Sequence, residues 1–151
     1  MNRLIEDYLR ARGVRYFRGH HDDEYFFLVD FVAEAYRGRL NVHLEASGAD
    51  RDSVQVSVSP DRYYPAGRRE VLAGVADRWN AEARVVRSVI LDSSDPHLVG
   101  VLARAEQRPG GPAEFADFVE AAVSGAVELF GLMTAVVAPA QQAPGALRDA
   151  G

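Results

Sequence analysis

The chain contains neither cysteine nor lysine. Without cysteine there are no disulfides, no thiolate nucleophiles and no cysteine-bound metals, and the absence fits a cytoplasmic protein. Without lysine, all 17 basic residues are arginines. They are scattered among abundant Ala, Val and Gly, which reads as GC-rich codon usage rather than selection for anion contacts. The first residues, Met1-Asn2-Arg3-Leu4-Ile5-Glu6-Asp7, lack the charged start, apolar run and small-residue cleavage site of a secretory signal. No uninterrupted apolar run has membrane-spanning length. Gly-x-Ser-x-Gly, a dinucleotide fingerprint and a phosphate-cradling loop are all missing, and Gly110-Gly111 has the wrong spacing for the last of these. No cofactor is therefore expected.

A length of 151 residues suits one domain. The apolar fraction of 48% and charged fraction of 26% are those of a globular protein. A net charge of −5 predicts no general attraction to nucleic acid or to an anionic membrane.

Periodicity divides the chain into helix, antiparallel meander, helix, hairpin and helix. Leu4, Ile5, Tyr8 and Leu9 mark a first helix, with Asn2 as its cap and Gly13 as its stop. Four β-type segments follow: a weak one at 14–17, then 25–32, 40–46 and 54–58, the last two alternating strictly. The segment Asp61-Arg62-Tyr63-Tyr64, bracketed by Pro60 and Pro65, reads as a loop. Val71, Leu72, Val75, Ala76 and Trp79 form the apolar stripe of the second helix. Strands at 84–92 and about 97–106 flank the turn Ser93-Ser94-Asp95-Pro96. Pro112 opens a long helix expected to end at Met133. The predicted order is α-β-β-β-β-α-β-β-α, an α+β domain with helices segregated on one antiparallel sheet. Residues 1–133 form the expected domain, and 134–151, rich in Ala, Pro, Gln and Gly, the expected disordered tail.

His20-His21-Asp22-Asp23-Glu24 is the one local cluster resembling a metal site. Adjacent side chains on a turn do not converge unless the fold arranges them, so a solvated hairpin turn is the favoured reading. A metal-dependent hydrolase built on this cluster is the minor alternative. His43 and Glu45 share a strand face and read as an exposed pair, and His97 lies in a turn with no special role. Arg68-Arg69, at the start of the second helix, reads as solubilising charge. Trp79 continues a core stripe, and Asn80 is expected to cap its helix or bond back to free carbonyls there. The strand at 25–32 carries Phe26, Leu28 and Val32 on its second face, and the strand after Pro96 is apolar on both faces. A sheet covered on one side only should not be so, unless internal structure or a partner covers the rest. Phe26, Leu28 and Val32 are therefore the candidate partner-binding residues.

Several local sequences carry a resemblance to a known family. They are Ile5-Glu6-Asp7-Tyr8-Leu9 with Gly13, Val54-Gln55-Val56-Ser57-Val58-Ser59-Pro60, Val75-Ala76-Asp77-Arg78-Trp79-Asn80 leading into Val85-Val86-Arg87-Ser88-Val89, and the final helix from Phe115. With the element order, they make residues 2–133 resemble the YbjN domain family of bacterial proteins. Those proteins are proposed regulators of sensory transduction and are similar in fold to type III secretion chaperones. The resemblance implies a non-enzymatic protein with no catalytic residues to carry over, acting by binding a client or partner protein, often as a homodimer. One departure is the extra strand near 14–17, beyond the five-stranded chaperone pattern. The expectation is a cytoplasmic protein-binding regulator or chaperone-like domain, with a small-ligand sensor as the second reading.

Overall fold

The computed structural model describes residues 1–21, 23–32 and 37–140, apart from the side chain of Val32. The elements are α1 (Asn2–Arg12), β1 (Tyr16–Arg18), β2 (Glu24–Val32), β3 (Arg37–Ser47), β4 (Ser53–Pro60), β5 (Tyr64–Pro65), α2 (Arg69–Asn80), β6 (Arg87–Asp92), β7 (Leu98–Gln107) and α3 (Pro112–Val136). This is the expected α+β order, with the two-residue β5 added. All strand pairs are antiparallel. The lateral order is β1-β2-β3-β4-β7-β6, and β5 continues along the same side of β7 as β4. Val99 shows this arrangement, pairing Tyr64 on one side and Asp92 on the other.

Strict alternation places one face of the sheet in the core. Leu40, Val42, Leu44 and Ala46 of β3, Val54, Val56 and Val58 of β4, and Val99, Val101, Ala103 and Ala105 of β7 are all buried. All of these but Ala46 share one core with Ile5 and Leu9 of α1, Leu72, Val75, Ala76 and Trp79 of α2, and Phe115, Phe118, Leu129, Phe130 and Met133 of α3. Each large apolar side chain fully buried here contributes roughly 1.5–3 kcal/mol. α3 has 25 residues and is apolar enough to cross a membrane by length and composition. The packing of its stripe against the sheet is the ordinary account of such a helix in a layered domain.

Local chemistry sets the helix ends. Gly13 takes the left-handed conformation (φ 67°), and its N–H donates to the Leu9 and Arg10 carbonyls. α1 begins at Asn2 itself, with Met1 at the cap position and no side-chain cap bond, so Asn2 is not the cap. At α3, Pro112 occupies the first turn, and the Glu114 carboxylate reaches back to accept from the Gly110 N–H. Gly125 lets this helix approach the chain ahead of β6, because a Cβ there would lie 3.1 Å from Val86 Cγ2.

Three boundaries moved for physical reasons. Tyr64 leaves the expected loop and is fully buried, its hydroxyl 2.7 Å from Thr134 Oγ1. That bond lies past the expected end of α3, which runs on to Val136. Val137 is buried as well, and the Ala140 N–H donates to the Tyr63 carbonyl at 2.9 Å. Residues 141–151 of the expected tail lie outside the described residues. β6 starts at Arg87 rather than Arg84 because α2 holds the chain before it: Trp79 Nε1 donates to the Val86 carbonyl at 2.9 Å.

Asn80 makes a different contact from the expected helix cap. Its side chain mimics a neighbouring strand, donating through Nδ2 to the Ser88 carbonyl (3.0 Å) and accepting the Ser88 N–H at Oδ1 (2.8 Å). Replacing Asn80 with Ala leaves both half-buried Ser88 groups unmet, which should lower stability by about 1–3 kcal/mol in urea unfolding. An unchanged unfolding midpoint contradicts this.

Burial pushes the Tyr64 phenol above its ordinary pKa, against smaller lowering effects of the Thr134 bond and of Arg62. Burial does the same for Tyr8, opposed by Arg12. The unfolded chain then loses these protons first, near pH 10. Their contribution is therefore full below about pH 10 and is lost as pH rises through the folded values. Tyr64→Phe should flatten the alkaline fall of stability above about pH 10, and an unaltered slope in urea titrations counts against it.

Candidate partner-binding surface

With the three helices packed on one face, no described element covers the opposite, open face of the sheet, and register arranges its side chains in lateral rows. One row runs Phe17, Phe26, His43, Ser57, Arg104 and Arg87 across six strands, each opposite the next. On one side lies an acidic row of Glu24, Glu45, Gln55 and Glu106. On the other lie Leu28, Asn41 and Ser59.

The exposed phenylalanines of this face cluster with Leu28 at its β1–β2 end, while Leu91 is exposed at the far end on β6. Phe17 is 55% exposed, Phe26 38% and Leu28 45%. They line a shallow depression of about 550 Å³ together with Gly19, His20 and Asn41. Gly19 is required under this patch, because a Cβ there would come within 2.9 Å of both Glu24 and Phe26 side-chain atoms. Of the candidate residues, Phe26 and Leu28 thus stand on the open face, while the Val32 side chain lies outside the described residues. Phe17 was missed by sequence reasoning. Its strand has only three residues, and its place beside Phe26 follows from cross-strand register alone. The expected apolarity of the last strand on both faces is largely met internally. Its odd-numbered residues face the helices, and Leu102, on the open face, is only 8% exposed beside Tyr63 and Leu91.

The histidine chemistry differs from the sequence-based pairing. His43 does not pair with Glu45: its Nε2 lies 3.2 Å from Glu24 Oε2, and His21 Nε2 lies 3.7 Å from the other oxygen of the same carboxylate. The His43 ring also stacks on Phe26, with centroids 4.6 Å apart and planes 25° apart. Asp23 is engaged by Arg51, and Asp22 lies outside the described residues. Among the described residues, no group of three or more His, Asp or Glu side chains is placed to hold a metal. Arg69 pairs with Asp92 at 2.6 Å and Arg68 donates to the Val136 carbonyl, so that cationic pair contacts the fold itself. His97 is exposed in its turn, as expected.

A second concavity, about 500 Å³, lies where the edge of β2 meets α1 and α3. Tyr8, Val14, Val29, Phe31 and Val123 line it, and the Arg12–Glu120 ion pair (2.7 Å) lies at the same place. Tyr8 meets Phe115 edge to face at 5.3 Å, which fixes the wall between the two helices.

No family model and no curated protein matches the sequence. Solved structures share its fold. YbjN from E. coli, a proposed transcription regulator, superposes with a TM-score of 0.65 at 13% identity, over 91% of this chain and 93% of its own. An uncharacterized protein from Methanothermobacter thermautotrophicus gives a TM-score of 0.51 at 12% identity, over 89% and 97% of the two chains. The chain therefore has a YbjN-like fold.

Because no group of three or more His, Asp or Glu side chains among the described residues is placed to hold a metal, the turn at 20–24 should take up no stoichiometric metal. Elemental analysis of untagged protein, and thermal unfolding with and without a chelator, check this. One bound equivalent of a transition metal, or a chelator-sensitive midpoint, contradicts it.

Proposed function

We propose that this protein is a non-enzymatic regulator or chaperone-like domain that acts in the cytoplasm by binding a partner protein, or a second copy of itself, on the open face of its sheet. The observation that carries the reading is the patch of Phe17, Phe26 and Leu28, three large apolar side chains together on a face that is otherwise mostly polar. Val32, which continues the same strand face in sequence, belongs with them. A protein surface presenting such a patch gains by covering it, because apolar area leaves water on association. The likeness in fold to a proposed transcription regulator supports a regulatory role. Neither nucleic acid nor membrane is the proposed partner, because the patch adjoins an acidic row and the chain is acidic overall.

The groove between β2, α1 and α3 favours a second reading, a small-ligand sensor, which a thermal-shift panel of apolar and anionic metabolites would address. A metal-dependent hydrolase finds no support in the geometry of the 20–24 turn.

Phe26→Asp with Leu28→Asp separates the readings. Sedimentation of the native protein should show a dimer or a defined co-purifying protein, and the double variant should lose it while keeping its unfolding free energy within about 1 kcal/mol, as exposed sites allow. A native protein that is monomeric and partner-free at micromolar concentration contradicts the proposal.

A further inference from the structure

The other end of the open face breaks a local rule of sheet chemistry. Arg87 of β6 and Arg104 of β7 are direct cross-strand partners, and both are exposed. Side chains so placed have Cβ atoms roughly 4.5–5.5 Å apart, and like charges there destabilise the pair. Among the described residues, neither guanidinium has a carboxylate within ion-pair distance, a property shared with several other exposed arginines but here found at two directly opposed positions. Arg104 Nε makes only a long contact, 3.5 Å, to Ser57 Oγ, which holds it along the lateral row. Two cross-strand positive charges with no carboxylate in ion-pair contact, although Glu82 and Glu106 line the same concavity, form a receptor for an external anion.

We propose that Arg87 and Arg104 bind an acidic side chain of the partner whose apolar residues cover Phe17, Phe26 and Leu28. The proposal rests on the partner-binding reading above and gives that partner its chemistry. Position on the sheet gives it dimensions. From β2 to β7 is three strand spacings and to β6 four, or about 14–19 Å at about 4.8 Å per strand. The acidic group should therefore stand about 9–13 residues from the apolar anchor along a helix, or about four to six along an extended segment. The flanking rows give it a side. Glu45 and Glu106 repel a carboxylate, whereas Asn41 and Ser59 do not, so the segment lies over the neutral row.

The test uses the full chain and a displayed library of random 16-residue peptides, with binders measured against wild type, Leu28→Asp, and the double variant Arg87→Gln/Arg104→Gln. Expected binders pair Asp or Glu with Leu or Phe at one of those spacings. They should lose affinity tenfold or more on the double variant and weaken as salt is raised from 50 to 500 mM. The double variant should be as stable as wild type or more so, because it removes a like-charge pair. A lower unfolding midpoint would show that the arginines serve the fold, which overturns the proposal. Binders lost on Leu28→Asp but indifferent to the double variant overturn the anion receptor and leave the apolar patch standing. If no binder is enriched, or none responds to Leu28→Asp, both readings fall.

Discussion

Burial of a single face of the sheet by three helices is the constraint on which the rest of this structure depends. α3, about 37 Å long at 1.5 Å per residue, brings Phe115, Phe118, Leu129, Phe130 and Met133 into the same core as β3, β4 and β7. With α1 and α2 on that same face, no helix among the described residues covers the other. Every open-face property follows from that asymmetry: the apolar cluster at one end, the acidic row, and the opposed arginines. In a fully covered sheet, Phe26 and Leu28 would be ordinary core residues and two adjacent arginines would not be tolerated.

The two lateral edges of the sheet are managed differently. At β6 the outer backbone groups of Ser88 are satisfied by Asn80, and the Val86 carbonyl by Trp79, so the helix corner closes part of that edge. Such cover is a common guard against unwanted strand pairing. Arg84 strengthens the corner, lying 3.9 Å above the Trp79 ring and pairing with Glu82 and Glu128. At the other edge, β1 covers only Tyr25 to Phe27 of the nine-residue β2. The apolar patch lies at this less guarded end, which is where a partner would meet the least competition.

Much of the fold was readable in the sequence because its signals are local. The period-two alternation of β3 and β4, the apolar stripes of the helices, Gly13 and Pro112 all act within a few residues of themselves. What escaped depends on distant partners. Tyr64 could not be recognised as a buried strand residue, because its hydroxyl is met by Thr134, 70 positions away. The bonds of Asn80 to Ser88 looked like a helix cap, since the same amide chemistry serves both ends. For the open face, Phe26 and Leu28 stood out by strand parity, whereas Phe17 and the Glu24–His43 bond required the register of β1, β2 and β3. The arginine pair was hidden among scattered arginines until the β6–β7 hairpin fixed its alignment.

The central claim, that the open face is covered in use, is tested most directly by hydroxyl-radical footprinting of the protein inside cells and again after purification and dilution. The account predicts that Phe17, Phe26 and Leu28 are protected in cells and become reactive on dilution, while the exposed residues Val71 and Leu132, which lie on the helices, react equally in both states. Equal labelling of the three open-face residues in both states would contradict it.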